Sequence, residues 1–505
     1  MASPQRVSGL LLPVFSLRSA NDVGVGDFEG FENLFGWMRQ ASQRVLMVLP
    51  LLPTTPGDPS PYSTRSAFGL NPLFIHLGWL PEGVQFTDAE KKAIDEARRS
   101  PSVRYDLVFP VKTAALQRAF DAFERHGSDE FETWRASQRE WLDGYALYST
   151  LSEKFEARPW WEWPEPLKNR DPGALEAALQ EHGRRVRYHQ WLQWVADGQW
   201  RRVRAQAHAH GIQLCGDEPF IIGQDSADCW CFPQYLRRDA RLGVPPDDFS
   251  ADGQDWGLPW FDFDALGRDN DTWLKRRAKH AAATYDLRRV DHAIGYFRQY
   301  IRDAQAPRGR FVPDQEADQR ARGEKNFKLL SEGTSIVAED LGVIPRFARD
   351  VLAQLGLPGY QVMRWSREDG VYRDPRHYPE ISLVTTGTHD TEALRSWWEG
   401  AQDWERETVC RVWPELNGLQ PAPKEWSFEV HEALLRAAMN SQSYLAIFPW
   451  QDVFGETERT NLPGTMGPQN WSYRIKPEVQ ALSADENLQR TANWLTRLSH
   501  EARRA

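Results

Sequence analysis

Eight short apolar runs, each closing on polar or turn residues, punctuate this chain. They are Leu10 to Phe15 (LLLPVF), Val45 to Leu52, Gly211 to Asp217, Leu287 to His292 (LRRVDH), Ser335 to Asp340 (SIVAED), Gly359 to Trp365, Ser382 to Asp390 (SLVTTGTHD) and Ser443 to Trp450. Each is too short for a helix and too continuously apolar for a strand with one wet face, so they predict strands buried on both sides. Helical periodicity fills many of the gaps. FEGFENLFGWMRQA follows the first run, and IPRFARDVLAQL follows the fifth and ends at Gly356, a natural C-cap. Strands of this kind alternating with helices predict an α/β fold of the (β/α)₈ barrel type.

The spacing is uneven. The stretch from Leu52 to Gly211 is far longer than one crossover helix needs, and amphipathic patterns such as TAALQRAFDAFERH (Thr113 to His126) run through it. It predicts a mostly helical insertion over residues 74–190 after the second strand, with about 190–210 forming the helix that returns to the barrel. A second, loop-rich excursion over residues 221–271 carries DWGLPWF, whose Gly and Pro place Trp256 in a loop. With no internal repeat, residues 1–505 read as a single barrel carrying two insertions.

A formal net charge of −10 without a basic stripe leaves no footprint for nucleic acid. The segment MASPQRVSGLLLPVFSLRSA has neither a secretory core nor a membrane span, so a cytoplasmic protein with no membrane partner is expected, as a monomer or weak homo-oligomer. Cys215, Cys229, Cys231 and Cys410 are too few for a disulfide framework and read as reduced thiols. The load of 23 tryptophans changes the picture more. Flat amphipathic rings suit the apolar face of a sugar, although core packing accounts for any one of them taken alone.

In a (β/α)₈ barrel the reactive groups stand at the C-terminal ends of the strands. That rule selects Asp217, Asp291 with His292, Glu339 with Asp340, and His389 with Asp390. A helix N-cap or a solvated loop acid explains any single one. A ring of carboxylates on one rim needs more. A metal site could use the Asp/His pairs, but LLLPVF lacks the H-x-H that metal-dependent barrel hydrolases carry on their first strand, so no metal is expected. Glycosyl transfer by paired carboxylates fits better. Asp291 suits the nucleophile, because Arg289, two residues back on the same strand face, can keep it charged and aimed. Glu339 suits the proton donor, provided that an apolar setting raises its pKa. Asp390 would stabilise the oxocarbenium-like transition state, with His292 and His389 as hydroxyl donors.

The motifs LRRVDH, VAEDLG and TGTHDT in this order, with GDEPF upstream, resemble those of the amylomaltases, the 4-α-glucanotransferases of glycoside hydrolase family 77 in the α-amylase superfamily. SPYSTRSAFGLNP, GQDSADCW, GVPPDDFSADGQDWGLP and NLPGTMGPQNWSYR extend the resemblance over nearly the whole chain. It implies a TIM barrel without a cofactor that moves α-1,4-glucan segments from maltooligosaccharide, starch or glycogen-derived donors to the 4-hydroxyl of an acceptor sugar. By motif it implies Asp291 as nucleophile, Glu339 as acid/base and Asp390 as stabiliser. It also implies Ser60 and Tyr62 at a sugar-stacking position, and Asp217, Arg289, His389 and Asn461 along the donor site. Gln254 and Trp256 match the loop that roofs the cleft.

Three departures stand out. Asp248 precedes Phe249 where relatives commonly have a tyrosine, EALRSWW follows GTHDT, and Arg364 stands where glutamine is usual. They bear on acceptor preference and chain-length range. An α-1,4-glucan hydrolase built on the same carboxylates, and a silent glucan-binding protein, are the alternatives.

Overall fold

The computed structural model describes residues 4–505 except 56, 82, 246–252 and 304–308. Its centre is a sheet of eight parallel strands: β1 (Val7–Leu11), β2 (Val45–Met47), β3 (Gln213–Glu218), β4 (Leu287–Val290), β5 (Ser335–Ala338), β6 (Gly359–Val362), β7 (Ser382–Thr385) and β8 (Leu445–Pro449). Their order, β6-β7-β8-β1-β2-β3-β4-β5, closes on itself as a (β/α)₈ barrel. At the seam the Ala338 amide donates to the Pro358 carbonyl at 2.8 Å. Asp340, read from sequence as a rim carboxylate, works there too: its Oδ1 accepts from the Tyr360 amide at 2.7 Å. A Cβ on Gly359 would lie 2.7 Å from that oxygen, so the close approach requires glycine.

Each of the eight apolar runs overlaps a strand, and each strand is shorter than its run. β1 begins at Val7, earlier than the run suggested. After Leu12 donates to the Met47 carbonyl at 3.0 Å, Pro13 has no N–H to continue the ladder, and Val14–Ser16 turn into a short 3₁₀ helix. Phe31–Gln40 and Arg346–Gln354 form the helices after β1 and β5, and Gly356 adopts φ +69° just past the second.

Between β2 and β3 lie helices Asp88–Arg99, Tyr105–Phe123, Asp129–Lys154 and Pro172–Ala209. The last is kinked at His182, and its second part runs through residue 190 to Ala209. The second excursion is more ordered than its composition suggested. Leu236–Val244, Gln254–Phe261, Gln299–Asp303 and Arg310–Val312 form an antiparallel sheet with Gln254–Phe261 at one edge. Trp256 therefore sits on a strand and not in a loop. That strand tolerates Pro259 because an edge leaves one side of its backbone unpaired, and its register against Leu236–Val244 shifts twice. Asp248 and Phe249 lie outside the described residues. Among the described residues no helix is long and apolar enough to cross a membrane, and all four cysteines are free thiols.

Candidate active site

Strand alternation explains the doublets at the ends of β3 and β4. Asp217 and Arg289 are direct neighbours across the ladder and point into the barrel. One residue out of phase, Glu218 and Arg288 point the other way, where they pair with each other and Glu218 meets Arg277 at 2.7 Å. Sequence reading missed this outer pair, although its signal was plain in GDE and RRV.

Inside, Arg289 Nη1 donates to both oxygens of Asp217 at 2.8 and 2.9 Å and lies 2.8 Å from Asp291 Oδ1. The guanidinium is shared between two carboxylates, where sequence alone suggested it served Asp291. Burial opposes its charge, yet Asp217 and Asp291 hold its pKa well above the ordinary value. Burial pushes the Asp217 carboxyl up, with Arg289 opposing. Tyr62 Oη donates to Asp217 Oδ2 at 2.6 Å, and the Tyr62 ring stacks on His389 with centroids 5.1 Å apart. His389 Nε2 is 3.4 Å from Asp390 Oδ2, and Asn461 Nδ2 donates to Asp390 Oδ1 at 2.7 Å. Asp291, Arg289, Asp217, Tyr62, His389, Asp390 and Asn461 thus form one connected polar arc on the rim.

Glu339 joins from β5. The backbone amides of His292 and Leu341 donate to its two oxygens at 2.8 and 3.2 Å. To deliver its amide, His292 adopts φ 44° and ψ 55°, a strained left-handed conformation for a non-glycine residue. Burial first, and the Asp291 charge with it, raise the Glu339 pKa to about 7 against the pull of Arg289. Asp390 goes the other way. Burial would raise it, but His389 and Asn461 hold it down to about 2. The same contact raises the His389 pKa despite its burial. Burial lowers the His292 pKa to about 4, so its ring is neutral at neutral pH.

Trp256 reaches this group edge-on, 4.8 Å from the His292 ring. Gln254 is exposed and accepts from Trp256 Nε1 at 3.3 Å, and Ser60 accepts from the Tyr62 amide at 3.3 Å, shaping the turn that presents that ring. Of the other clustered tryptophans, Trp160, Trp163 and Trp398 are buried, and Trp161, Trp260 and Trp397 are half-buried against the core. Two rim residues escaped sequence reading: Arg459, which donates to the Asp390 carbonyl at 2.5 Å, and Trp471, which packs against both Tyr62 and His389. Trp471 lies in the block that supplied Asn461.

Away from the rim, Asp27, Glu29 and His76 are close enough to hold a metal ion. The Lys112 ammonium lies 3.6 Å from Asp27 Oδ2, the oxygen that His76 Nδ1 meets at 3.0 Å. A cation is built into the cluster, so its donor set does not fit a metal.

The model of glycoside hydrolase family 77, described as 4-alpha-glucanotransferase, matches residues 12–480. The 4-alpha-glucanotransferase of Thermus thermophilus is 34% identical over 494 residues, covering 94% of this chain and 95% of its own. That of Chlamydia pneumoniae is 31% identical over 499 residues, covering 94% and 92%. An amylomaltase from Streptococcus agalactiae in complex with acarbose superposes with a TM-score of 0.84 at 26% identity, covering 99% of this chain and all of that one. The fold is also that of the Corynebacterium glutamicum amylomaltase, with a TM-score of 0.80 at 22% identity over 97% of this chain and 75% of that one. The chain belongs to glycoside hydrolase family 77, the 4-alpha-glucanotransferases.

Proposed function

We propose that this transferase moves α-1,4-glucan segments by a retaining double displacement on Asp291. A carboxylate oxygen of Asp291 bonds to the anomeric carbon of the donor as the bond from that carbon to the leaving 4-oxygen breaks, and Glu339 gives its proton to that oxygen. The acceptor 4-hydroxyl then returns a proton to Glu339 while its oxygen displaces Asp291. Asp390, kept ionised by His389, faces the positive charge that develops on the sugar. Tyr62 and Trp256 offer ring faces to the glucan.

The carrying observation is the opposite tuning of two carboxyls in one arc, Glu339 raised to about 7 and Asp390 lowered to about 2. One can hold a proton at neutral pH and the other cannot, which is the division of labour the reaction needs. The free thiols fit a reducing, cytoplasmic setting.

Pure maltotriose is the discriminating substrate. Transfer converts it to free glucose and a ladder of longer maltooligosaccharides with no rise in total reducing ends. Shorter products only, with reducing ends rising in step, would establish a hydrolase and overturn this reading.

A further inference from the structure

Two of the departures noted in the sequence touch each other. Arg364, at the end of β6, is almost fully buried and reaches across to the loop that follows β7. Its Nε donates to the Thr386 carbonyl at 3.0 Å, and its Nη1 donates to the Glu392 carbonyl at 2.9 Å and to Glu392 Oε1 at 3.1 Å. Thr386 and Glu392 are the two ends of the segment that carries His389 and Asp390, so one planar guanidinium ties both ends of that loop. Glutamine is shorter and uncharged, and has a single amide nitrogen in place of the two nitrogens that meet these carbonyls here.

The tie continues to Asp390. Glu392 Oε2 lies 3.5 Å from Arg459 Nη1, and Arg459 Nη2 donates to the Asp390 carbonyl. Arg459 Nε donates to the carbonyl of Asn461, the residue whose side chain holds Asp390 Oδ1. Beneath the loop, Asp452 accepts from Thr386 Oγ1 at 2.6 Å and from the Leu394 amide at 2.7 Å. The Asp390 carboxylate is thereby fixed from its backbone, its side chain and both ends of its loop.

We propose that Arg364, paired with Glu392, is a positioning residue that sets Asp390 against the reacting sugar. The proposal rests on the reading of Asp390 as transition-state stabiliser. Misplacing such a group by a fraction of an ångström costs rate and leaves ground-state binding largely alone.

Four enzymes test it: wild type, Arg364→Met, Asp390→Asn and the double variant, each assayed for kcat and KM with α-maltosyl fluoride as donor and maltotriose as acceptor. Arg364→Met should lower kcat roughly 10-fold or more with KM within about 2-fold. In the Asp390→Asn background the same substitution should change kcat by less than about 2-fold, because the group it positions is gone. Equal factors in both backgrounds, or no loss in the wild-type background, would overturn the role of Arg364. An Asp390→Asn enzyme with undiminished turnover would instead overturn the reading of Asp390 itself. Should Arg364→Met not fold, Glu392→Gln leaves the buried arginine in place. It should give a smaller kcat loss of about 3-fold that also vanishes in the Asp390→Asn background, and a loss that persists there refutes the proposal.

Discussion

Replacing Glu339 by glutamine separates proton donation from everything else the site does. The carboxyl is raised from 4.5 to about 7, and at about 1.4 kcal/mol per unit that corresponds to roughly 3 kcal/mol favouring its protonated form in the folded protein. Two consequences follow, with opposite observables. For activity, the free enzyme needs the protonated form, so kcat/KM should fall as pH rises through about 7. For stability, the carboxyl is protonated in both states below about 4.5 and contributes no difference there. Between 4.5 and 7 the unfolded chain ionises while the fold keeps its proton, so stability falls with rising pH. Above 7 the full penalty is present. Glu339→Gln should therefore lose the basic limb and show a smaller drop in stability between pH 5 and pH 8 than wild type, by up to about 3 kcal/mol. Comparing the two pH values matters because glutamine also removes one acceptor from the His292 and Leu341 amides, a cost of about 1–3 kcal/mol that does not vary with pH.

The kinetic assay uses two donors. Maltotriose needs a proton on its leaving oxygen, and loss of a general acid should cost about 10²- to 10⁴-fold. The fluoride ion of α-maltosyl fluoride leaves without that proton, and azide as acceptor attacks without giving one up, so this pair should retain most of its turnover in the variant. Equal losses with both pairs, or a basic limb at about 7 that survives the substitution, would refute Glu339 as the proton donor.

Asp291→Asn should abolish maltotriose turnover by at least about 10³-fold while maltoheptaose still binds in a calorimetric titration, since the ring surfaces of Tyr62 and Trp256 are untouched. Tyr62→Phe keeps the ring on His389 but removes the 2.6 Å hydrogen bond to buried Asp217; unfolding should become easier by about 1–3 kcal/mol in urea, with a measurable fall in kcat/KM. At the opposite end of the barrel, the fully buried Arg504 donates to the carbonyls of Val7, Met439, Ser441, Ser443 and Tyr444. Arg504→Ala should cost about 3 kcal/mol or more in urea unfolding and leave kcat per folded enzyme unchanged.

Much of the barrel was legible because its strands are buried on both faces, which writes a continuous apolar run into the sequence. The residues proposed as reactive stand out in the sequence for a related reason. Asp291 and Glu339 stand directly after the last residues of β4 and β5, and Asp390 lies in the loop after β7, so each of these apolar runs closes on a carboxylate. What stayed hidden were contacts between distant segments. The antiparallel sheet pairs Arg241 with Arg302 and Gly243 with Tyr300, and no local periodicity reports such partners. Asp340 reads like Glu339 in sequence, yet one residue of alternation turns it to the β6 seam. Arg364 and Glu392 each looked like an isolated departure until the fold brought them to 3.1 Å.

The shared arginine explains why Asp217 is built so deeply into the arc. In the proposed cycle the charge of Asp291 disappears when it becomes the glycosyl ester. Arg289 would then face a neutral neighbour in a buried setting, an uncompensated charge costing several kcal/mol. Asp217, held by both its oxygens to the same Nη1, remains as counterion throughout. The same loss of charge acts on Glu339, because the Asp291 carboxylate is among the causes that raise its pKa. With that charge gone and Arg289 still pulling downward, Glu339 becomes a weaker acid-holder just after it has given its proton away. It is left as the base the acceptor hydroxyl needs, so one electrostatic change in Asp291 switches both halves of the reaction.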